Sequence, residues 1–270
     1  MGDSRSQRLN TVVIPAAGRG TRMSPASLAV PKELMPVFDT PAIHLVVDEA
    51  VAAGVERFVV IRSPEKSGII DYLSNAYGNL HHKNYSTEFE LVDVVQAEPL
   101  GLGSAILEVE HIIGEGRFSV MLPDGLYLGE GGGLGELLKI AERIEGNLVT
   151  LKRATSEELA TSGAVAATRI GENLFSIDEL IEKPNSNIDR YEFMILGRYI
   201  LEPSIFSYLK MTAPSITGEI ELTDALALAS ATIPIKGATI SGSFHDVGTP
   251  LGLLNASLTR ARLMGQYSSH

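Results

Sequence analysis

A glycine-rich loop with two cations near the N-terminus is the first feature that could do chemistry. It reads Gly18-Arg19-Gly20-Thr21-Arg22, and Lys32 follows after a stretch with two prolines. Because glycine adopts positive φ and tolerates a close ligand, such a loop can turn backbone N–H groups toward a phosphate. Arginine can bind two phosphate oxygens with its planar fork, whereas lysine acts as a point charge. The loop therefore predicts an anion site, and the alternative is a glycine turn with surface cations.

Two familiar phosphate motifs do not fit this loop. A dinucleotide fingerprint needs a third glycine where this chain has Met23. A P-loop needs Gly-Lys followed by Ser or Thr, whereas Gly20 is followed by Thr21 and Arg22. The longer spaced pattern over residues 18–36, with its prolines and its second cation, favours a functional loop over a surface turn.

Two aspartates could bind a metal ion. Asp124 follows the apolar run Phe118–Leu122, which is typical of a buried strand, and Asp246 stands in Phe244–Gly248 just before a predicted helix. A carboxylate at the carboxyl end of a strand faces the ligand crevice of an open sheet, where Mg²⁺ can be shared with phosphate oxygens. Each aspartate taken alone could equally be a turn residue.

Composition and charge restrict the class of protein. The 270 residues include 22 Lys and Arg against 33 Asp and Glu, which gives a net charge of −11 and argues against a nucleic-acid or membrane partner. A few local cations would still suffice for a small phosphorylated substrate. The chain has no cysteine, which excludes disulfides and thiolate metal sites and fits a cytoplasmic location. No apolar run approaches the roughly 18 residues of a membrane-spanning helix.

Apolar runs alternate with helical patterns, which predicts an α/β fold with a Rossmann-like mixed sheet flanked by helices. The region after about residue 160 is expected to be more antiparallel. Thr40 and Pro41 are predicted as N-cap and first residue of a helix that Gly54 closes. The predicted strands are 11–16, 57–61, 91–96, 118–122, 147–152, 164–170, 174–181 and 193–201. The predicted helices are 42–53, 102–113, 134–144, 203–210, 220–229 and 250–263.

Further short motifs follow the glycine loop in a fixed order. They are Pro99–Ala105, Leu122–Asp124, Ile181–Pro184, Leu196–Tyr199, Gly218–Ala225 and His245–Gly248. With these motifs between about residues 11 and 258, the chain resembles the sugar-nucleotide pyrophosphorylases. More narrowly, it is similar to the bacterial UTP–glucose-1-phosphate uridylyltransferases.

The resemblance implies the nucleotide-diphospho-sugar transferase fold and its reaction. In that reaction a sugar 1-phosphate oxygen attacks the α-phosphorus of a nucleoside triphosphate, most simply glucose 1-phosphate and UTP, and pyrophosphate leaves. Such transfers depend on positioning and charge neutralisation. The resemblance also implies Mg²⁺ as cofactor and a homodimer or homotetramer. From the sequence itself we expect residues 1–10 to be a disordered lead-in and residues 11–265 to form one domain. Residues 11–155 would mainly bind nucleotide, and 156–265 mainly the sugar phosphate.

The same resemblance assigns roles residue by residue. The catalytic cations would be Arg22, Lys32 and Lys183. The metal ligands would be Asp124 and Asp246. The nucleotide would be bound by Ala16, Ala17, Gly18, Gly20, Thr21, Gln96 and Gly101. The sugar phosphate would be bound by Gly163, Glu182, Lys183, Gly197 and Glu219. We interpret Glu221 and Asp224 as acids that stabilise a helix start.

Two departures leave the substrates open. The uridylyltransferases usually carry Thr-Lys where this chain has Ser27-Leu28, and leucine there is seen in related thymidylyltransferases. The usual tyrosine before the sugar-side glycine is Ser162. The alternatives are therefore the same chemistry with another nucleotide and an unusual sugar or cyclitol 1-phosphate, or a non-catalytic regulatory paralogue. The regulatory paralogue is disfavoured because the chain has all the cations and metal-binding aspartates that the reaction needs. These are Arg22, Lys32, Lys183, Asp124 and Asp246.

Overall fold

The computed structural model describes residues 9–78, 89–129 and 131–266. The predicted lead-in over residues 1–10 lies outside the described residues except for its last two. Of these, Asn10 has a carbonyl oxygen that accepts hydrogen bonds from the backbone N–H groups of Glu56 and Arg57.

Strands and helices alternate along the described part of the chain. The strands are β1 (Thr11–Pro15), β2 (Pro36–Val37), β3 (Thr40–Pro41), β4 (Arg57–Arg62), β5 (Glu90–Val95), β6 (Phe118–Met121), β7 (Gly125–Leu128), β8 (Asn147–Arg153), β9 (Gly163–Arg169), β10 (Leu174–Glu182), β11 (Phe193–Leu201), β12 (Ile235–Ala238) and β13 (Ser243–Asp246). The helices are α1 (Ala42–Ala52), α2 (Ser67–Tyr77), α3 (Leu102–Leu107), α4 (Gly133–Ala141), α5 (Ser156–Leu159), α6 (Ile205–Met211), α7 (Leu222–Ala229) and α8 (Pro250–Leu263). Short 3₁₀ helices lie at Thr21–Met23, Ala26–Leu28, Lys32–Leu34, Pro64–Lys66 and Ile188–Arg190.

The chain divides into two compact units, each assembled from separate segments. The first unit comprises residues 10–97, 121–136 and 241–270, and the second comprises 1–9, 98–120 and 137–240. The two units thus interleave along the sequence. The division of function near residue 155 stays a prediction.

In the first unit, β1, β4 and β5 form a parallel array. Val13 pairs with Val59, and Val59 pairs in turn with Val92. The central residues of β1 and β4 are fully buried, as expected for parallel strands with helices on their faces. The predicted strand–helix–strand order is confirmed here, and Gly54 follows α1 with the positive φ of 84° that its predicted role requires.

The predicted helix start at residue 42 is confirmed, but the predicted N-cap of α1 is wrong by one residue. Thr40 is not an N-cap, because it pairs with Val37 in the two-residue hairpin of β2 and β3. Pro41 takes the N-cap position, and the helix begins at Ala42. The Thr40 hydroxyl instead accepts a hydrogen bond from Arg260 on α8. Thr40 is therefore part of the β2–β3 hairpin and does not cap the helix.

The second unit contains the antiparallel region that the sequence predicts. β8 is antiparallel to β11, β9 pairs antiparallel with β10 and β11, and β12 joins β8 in parallel and β10 antiparallel. Helix α3 ends at Leu107, whereas the predicted helix continues to residue 113. The N–H groups of Glu108, Val109 and Glu110 bond to carbonyls three residues back, so the chain tightens into turns after Leu107.

Candidate active site

The glycine loop leaves the carboxyl end of β1 in the first unit. Ala16 and Ala17 are buried, Gly18 is exposed, and Gly20 has φ +65° as it enters the 3₁₀ helix that begins at Thr21. A Cβ at Gly20 would also lie within 3.5 Å of the Lys32 side chain. The loop therefore favours glycine at position 20 because of its left-handed backbone conformation.

The exposed edge of this loop offers backbone donors. The N–H of Ala16 is used, because it donates to the Ile61 carbonyl at 2.6 Å. Within the part of the chain that the structure describes, the N–H groups of Ala17, Gly18 and Arg19 have no backbone acceptor. Successive free N–H groups form a concavity that suits an anion.

Arg22 and Lys32 face the two predicted metal ligands. Lys32 Nζ lies 2.5 Å from Asp124 Oδ2, and Arg22 Nη1 lies 2.9 Å from Asp246 Oδ2. Arg22 Nη2 also approaches Asp124 Oδ2 at 3.9 Å. Four predicted site residues, far apart in sequence, are therefore one charge cluster within the first unit.

The pairing of β7 with β13 brings the two aspartates together. Asp246 is opposite Gly125 in this antiparallel pair, and the N–H of Val247 donates to the Asp124 carbonyl at 2.8 Å. The N–H of Gly248 then donates to Asp246 Oδ1 at 2.9 Å, which orients that carboxylate. Neither strand was predicted, so the sequence placed each aspartate only at a strand end or turn, and it was the family resemblance that implied a shared metal site.

The ion pair between Lys32 and Asp124 shifts the pKa of each partner in the direction that keeps it charged. Burial raises the pKa of the Asp124 carboxyl, but Lys32, its largest opposing influence, outweighs burial and holds the pKa below its usual value. Burial lowers the pKa of Lys32, yet Asp124 more than compensates, and the net pKa is raised. Asp124 is thus an anion at neutral pH.

The donor set suits a hard divalent cation that is completed by substrate. The described residues include no group of three or more His, Asp or Glu side chains placed to hold a metal ion. Mg²⁺ commonly binds one or two carboxylates and takes its other ligands from water and phosphate oxygens. Asp124 and Asp246 match that requirement.

Gln96 follows the carboxyl end of β5, in the same unit as the glycine loop. Its backbone N–H donates to the Arg62 carbonyl at 2.8 Å, which continues the ladder between β5 and β4, and the side chain is buried. A buried amide at the carboxyl edge of a parallel array can read a flat hydrogen-bonding ligand.

The second unit contains a separate cluster around Lys183. Lys183 Nζ lies 3.1 Å from Glu182 Oε1 and 3.2 Å from Glu221 Oε1. Its backbone N–H donates to the Ser162 carbonyl, and its φ of +45° is unusual for a residue with a side chain. Burial lowers the pKa of Lys183, but the two glutamates outweigh burial and raise it.

Gly163 lies opposite Glu182 in the β9–β10 pair. A Cβ at Gly163 would lie 2.9 Å from the Thr223 hydroxyl and 3.3 Å from Glu182 Oε2. A side chain at position 163 would therefore clash with these polar groups, so glycine allows β9 to pack closely against Thr223 and Glu182.

Glu221 is a site residue that sequence reasoning missed. It is the N-cap of α7, as its helix-start interpretation implies, but its side chain makes no capping hydrogen bond and binds Lys183 instead. Burial and the neighbouring Glu182 raise the pKa of Glu221. They raise that of Asp224 as well. The sequence did not show that two glutamates surround Lys183, because Glu182 and Glu221 are distant in sequence.

Gly101 and Glu219 are neighbours in the second unit, although they were assigned to different ligands. Gly101 has φ +97°, and a Cβ there would lie 2.6 Å from the Ile220 carbonyl oxygen and 3.0 Å from Glu219 Cβ. Hydrogen bonds from Gly103 to Ile220 and from Ile220 to Leu100 fix the two segments side by side.

Gly197 is buried in β11, where the register with β8 shifts between Ile195 and Tyr199. Its carbonyl oxygen accepts a hydrogen bond from the buried Arg198 guanidinium. The hydroxyl of Thr150 on β8 bonds to the carbonyls on either side of Gly197. The irregular strand leaves Gly197 at a bulge, where backbone groups can turn away from the ladder.

These charge clusters, built on a mixed α/β fold, are those of a nucleotide-handling transferase. The sequence profile of the nucleotidyl transferase family matches residues 11–262, and the chain belongs to that family.

Among its relatives are bacterial UTP–glucose-1-phosphate uridylyltransferases. One from Bacillus subtilis is 33% identical, over 93% of this chain and 89% of its own length. One from Mycoplasma pneumoniae is 33% identical, over 94% of this chain and 93% of its own length.

Solved structures with the same fold include a UDP-glucose pyrophosphorylase complexed with UDP-glucose. It is 29% identical, with a TM-score of 0.86 over 95% of this chain and 100% of its own. A UTP-bound enzyme of the same kind from Acinetobacter baumannii is 29% identical, with a TM-score of 0.80 over 94% of each chain. The predicted fold and family are thereby confirmed.

In the described residues we find no helix of the length and apolarity that crossing a bilayer requires.

Proposed function

We propose that this chain transfers the uridylyl group of UTP to glucose 1-phosphate. A phosphate oxygen of the sugar 1-phosphate forms a bond to the α-phosphorus of UTP, the bond from that phosphorus to the bridging oxygen breaks, and pyrophosphate leaves. The products are UDP-glucose and pyrophosphate. The observation that carries the proposal is the convergence of Arg22, Lys32, Asp124 and Asp246 in the first unit, in a chain whose relatives bear this activity in their names.

The glycine loop and its cations would handle the triphosphate. The N–H groups of Ala17, Gly18 and Arg19 suit phosphate oxygens, and Thr21 adds a hydroxyl at the start of the 3₁₀ helix. Arg22 and Lys32 would neutralise the charge that grows on the leaving pyrophosphate. Preorganised cations of this kind act most strongly where charge develops in the transition state.

Asp124 and Asp246 would hold Mg²⁺, because one carboxylate oxygen of each already lies beside Gly248. When bound, the ion would neutralise triphosphate oxygens and help to hold them in line for transfer. Lys32 and Arg22 pair with the same two carboxylates.

Lys183 would bind the phosphate of the sugar 1-phosphate, because it is a cation whose pKa is raised by its neighbours. Glu182, Glu219 and Glu221 offer acceptors for sugar hydroxyls, and Gly163 lies opposite Glu182 in the β9–β10 pair. A sugar 1-phosphate combines neutral hydroxyls with one anionic phosphate. The hydroxyls suit the glutamates of this cluster, and the phosphate suits Lys183.

Gln96 would recognise the base, because its amide can donate to one group of a uracil edge and accept from another. Ala16 and Gly101 stay predicted neighbours of the base and ribose; the N–H and carbonyl of Ala16 already bond to Ile61 and Lys66.

The same chemistry with another nucleotide and an unusual sugar or cyclitol 1-phosphate is the second candidate. It is favoured by Leu28, whose side chain is 83% exposed in the loop between Arg22 and Lys32, and by Ser162, which precedes Gly163. A small polar residue at position 162 leaves more room than the tyrosine that the related enzymes carry there.

The test is a pyrophosphate-release assay over five nucleoside triphosphates and a panel of sugar and cyclitol 1-phosphates. We expect the highest kcat/KM with UTP and glucose 1-phosphate. Turnover only with a different pair would replace the first proposal by the second candidate. A lack of turnover with every pair, from folded protein with Mg²⁺ present, would favour the regulatory paralogue. The homodimer or homotetramer and the cytoplasmic location stay predictions.

A further inference from the structure

Lys66, which lies outside the predicted site, binds two backbone carbonyls of the glycine loop. Lys66 lies at the end of the 3₁₀ helix before α2, and its Nζ donates to the Ala16 carbonyl at 2.9 Å and to the Gly18 carbonyl at 2.6 Å. The same ammonium lies 3.0 and 2.9 Å from the two carboxylate oxygens of Glu33. Its three N–H donors are therefore all used by loop carbonyls and one carboxylate.

This ion pair is almost completely removed from solvent. The side chains of Lys66 and Glu33 are 12% and 1% exposed. Burial raises the pKa of Glu33, while Lys66 and Lys32 oppose that rise. Burying a carboxylate without a partner would cost folding free energy, so Glu33 keeps its ion pair with Lys66. This ion pair holds the Lys66 ammonium beside the carbonyls of the glycine loop.

The two carbonyl contacts fix the direction of two peptide groups. The only cis peptide bond in the described chain is Ser24–Pro25, so the peptides after Ala16 and Gly18 are trans. In a trans peptide the C=O and the N–H point in opposite directions. With both carbonyls directed at Lys66, the N–H groups of Ala17 and Arg19 must point away from it.

We propose that Lys66 and Glu33 are positioning residues that hold the glycine loop so that the N–H groups of Ala17 and Arg19 face the phosphates of the nucleotide. This inference rests on the proposed function for the identity of the ligand. Lys66 itself does not touch the nucleotide, because its donors are already used. Glu33 lies next to Lys32, so the same short segment supplies both a site cation and the support of the loop.

The test separates support of the loop from general stability. Lys66→Met leaves Glu33 buried without its partner and should destabilise the fold. The double variant Lys66→Met/Glu33→Leu removes both charges, and replacing a buried ion pair by apolar residues of similar volume is often nearly neutral for stability. It still leaves the two loop carbonyls without their donor. Arg260→Met is the matched control, because Arg260 also bridges two segments of the first unit, to Asp39 and Thr40, but does not touch the loop.

Affinity for UTP is measured by calorimetric titration, together with the Tm and the ¹⁵N order parameters of Ala17, Gly18 and Arg19 in nucleotide-free protein. We expect the double variant to have a Tm close to that of the wild type, lower order parameters at these residues, and UTP binding weakened by about 10-fold to 100-fold. The control should bind UTP as the wild type does. A double variant with unchanged order parameters and unchanged UTP affinity would overturn the inference.

Failure of the proposed function would be visible separately. If the wild type binds no nucleoside triphosphate, the proposed function fails, and the order parameters of the nucleotide-free loop alone decide whether Lys66 and Glu33 hold it. Unchanged order parameters would then reject the inference, and reduced ones would support it.

Discussion

Asp124 and Asp246 direct one carboxylate oxygen each toward a single point, the position that a Cβ of Gly248 would occupy. Asp124 Oδ2 and Asp246 Oδ1 are each 2.9 Å from that point, and Arg22 Nη2 is 2.8 Å from it. A side chain at position 248 would therefore displace Arg22 and the two proposed metal ligands from their present positions.

Gly248→Ala should therefore abolish most of the activity while the protein stays folded. The added methyl group would push apart Arg22, Asp124 and Asp246, and we expect kcat to fall by about 10²-fold or more. The matched control is Gly68→Ala in α2, where a Cβ would meet only Leu34 at an ordinary 3.9 Å. Steady-state kinetics and thermal unfolding of both variants check this, and normal turnover of Gly248→Ala would show that the point is not part of the site.

Asp124→Asn and Asp246→Asn should each reduce the rate by about 10²-fold or more, because an amide is a much poorer ligand for Mg²⁺ than a carboxylate. The Mg²⁺ concentration for half-maximal activity should rise in both variants. Rates measured over a wide Mg²⁺ range test this. Rates near the wild-type value at saturating Mg²⁺ would remove the residue concerned from the metal site.

Lys183→Met should raise KM for the sugar 1-phosphate and leave KM for UTP nearly unchanged. Charge-assisted hydrogen bonds are worth about 1.5–3 kcal/mol, so we expect a rise of roughly 10-fold to 100-fold. Lys210→Met is the control in the same unit, because Lys210 also pairs with a glutamate, and its side chain is 57% exposed against 52% for Lys183. Equal effects of the two substitutions would contradict a binding role for Lys183.

The acid stability of the first unit should depend on Asp48. Burial raises the pKa of this carboxyl, but hydrogen bonds with His44 and Tyr77 outweigh burial and lower the pKa from its ordinary 3.8. A lowered folded pKa means that the stabilisation is complete above the ordinary value and is lost as pH falls through the folded value. Because the side chain is 41% exposed, the effect is small, about 0.5–1 kcal/mol.

Asp48→Asn should accordingly be less stable than the wild type at pH 6, and the difference should vanish toward pH 2. Urea unfolding at several pH values measures this. Asp71→Asn, at an exposed position on α2, serves as the control. A constant difference between Asp48→Asn and the wild type over the whole range would contradict the assignment.

Much of the fold could be predicted because local patterns determine it. Apolar runs such as Phe193–Leu201 and the helix Pro250–Leu263 have the predicted bounds, since burial and helix capping are readable within a few residues. Helix α2 was not predicted, although Ile69, Leu73 and Tyr77 recur every four residues and form its buried face. Its polar start and the absence of a capping side chain weakened that signal.

The site could be predicted as a set of residues but not as an arrangement. Asp124 and Asp246 meet through the pairing of two four-residue strands that are more than a hundred positions apart, and no local pattern encodes that pairing. Glu33 and Lys66 likewise become partners only in the folded chain. Ion pairs between distant segments of the chain therefore could not be predicted from the sequence alone.

The most direct test of the proposed function is product analysis by mass spectrometry after incubation of the wild type with UTP, glucose 1-phosphate and Mg²⁺. We predict UDP-glucose and pyrophosphate in equal amounts. We also predict that Asp124→Asn/Asp246→Asn, folded but without the two carboxylates, forms neither above background. No UDP-glucose from the wild type, or undiminished UDP-glucose from the double variant, would contradict the proposed reaction or its proposed site, respectively.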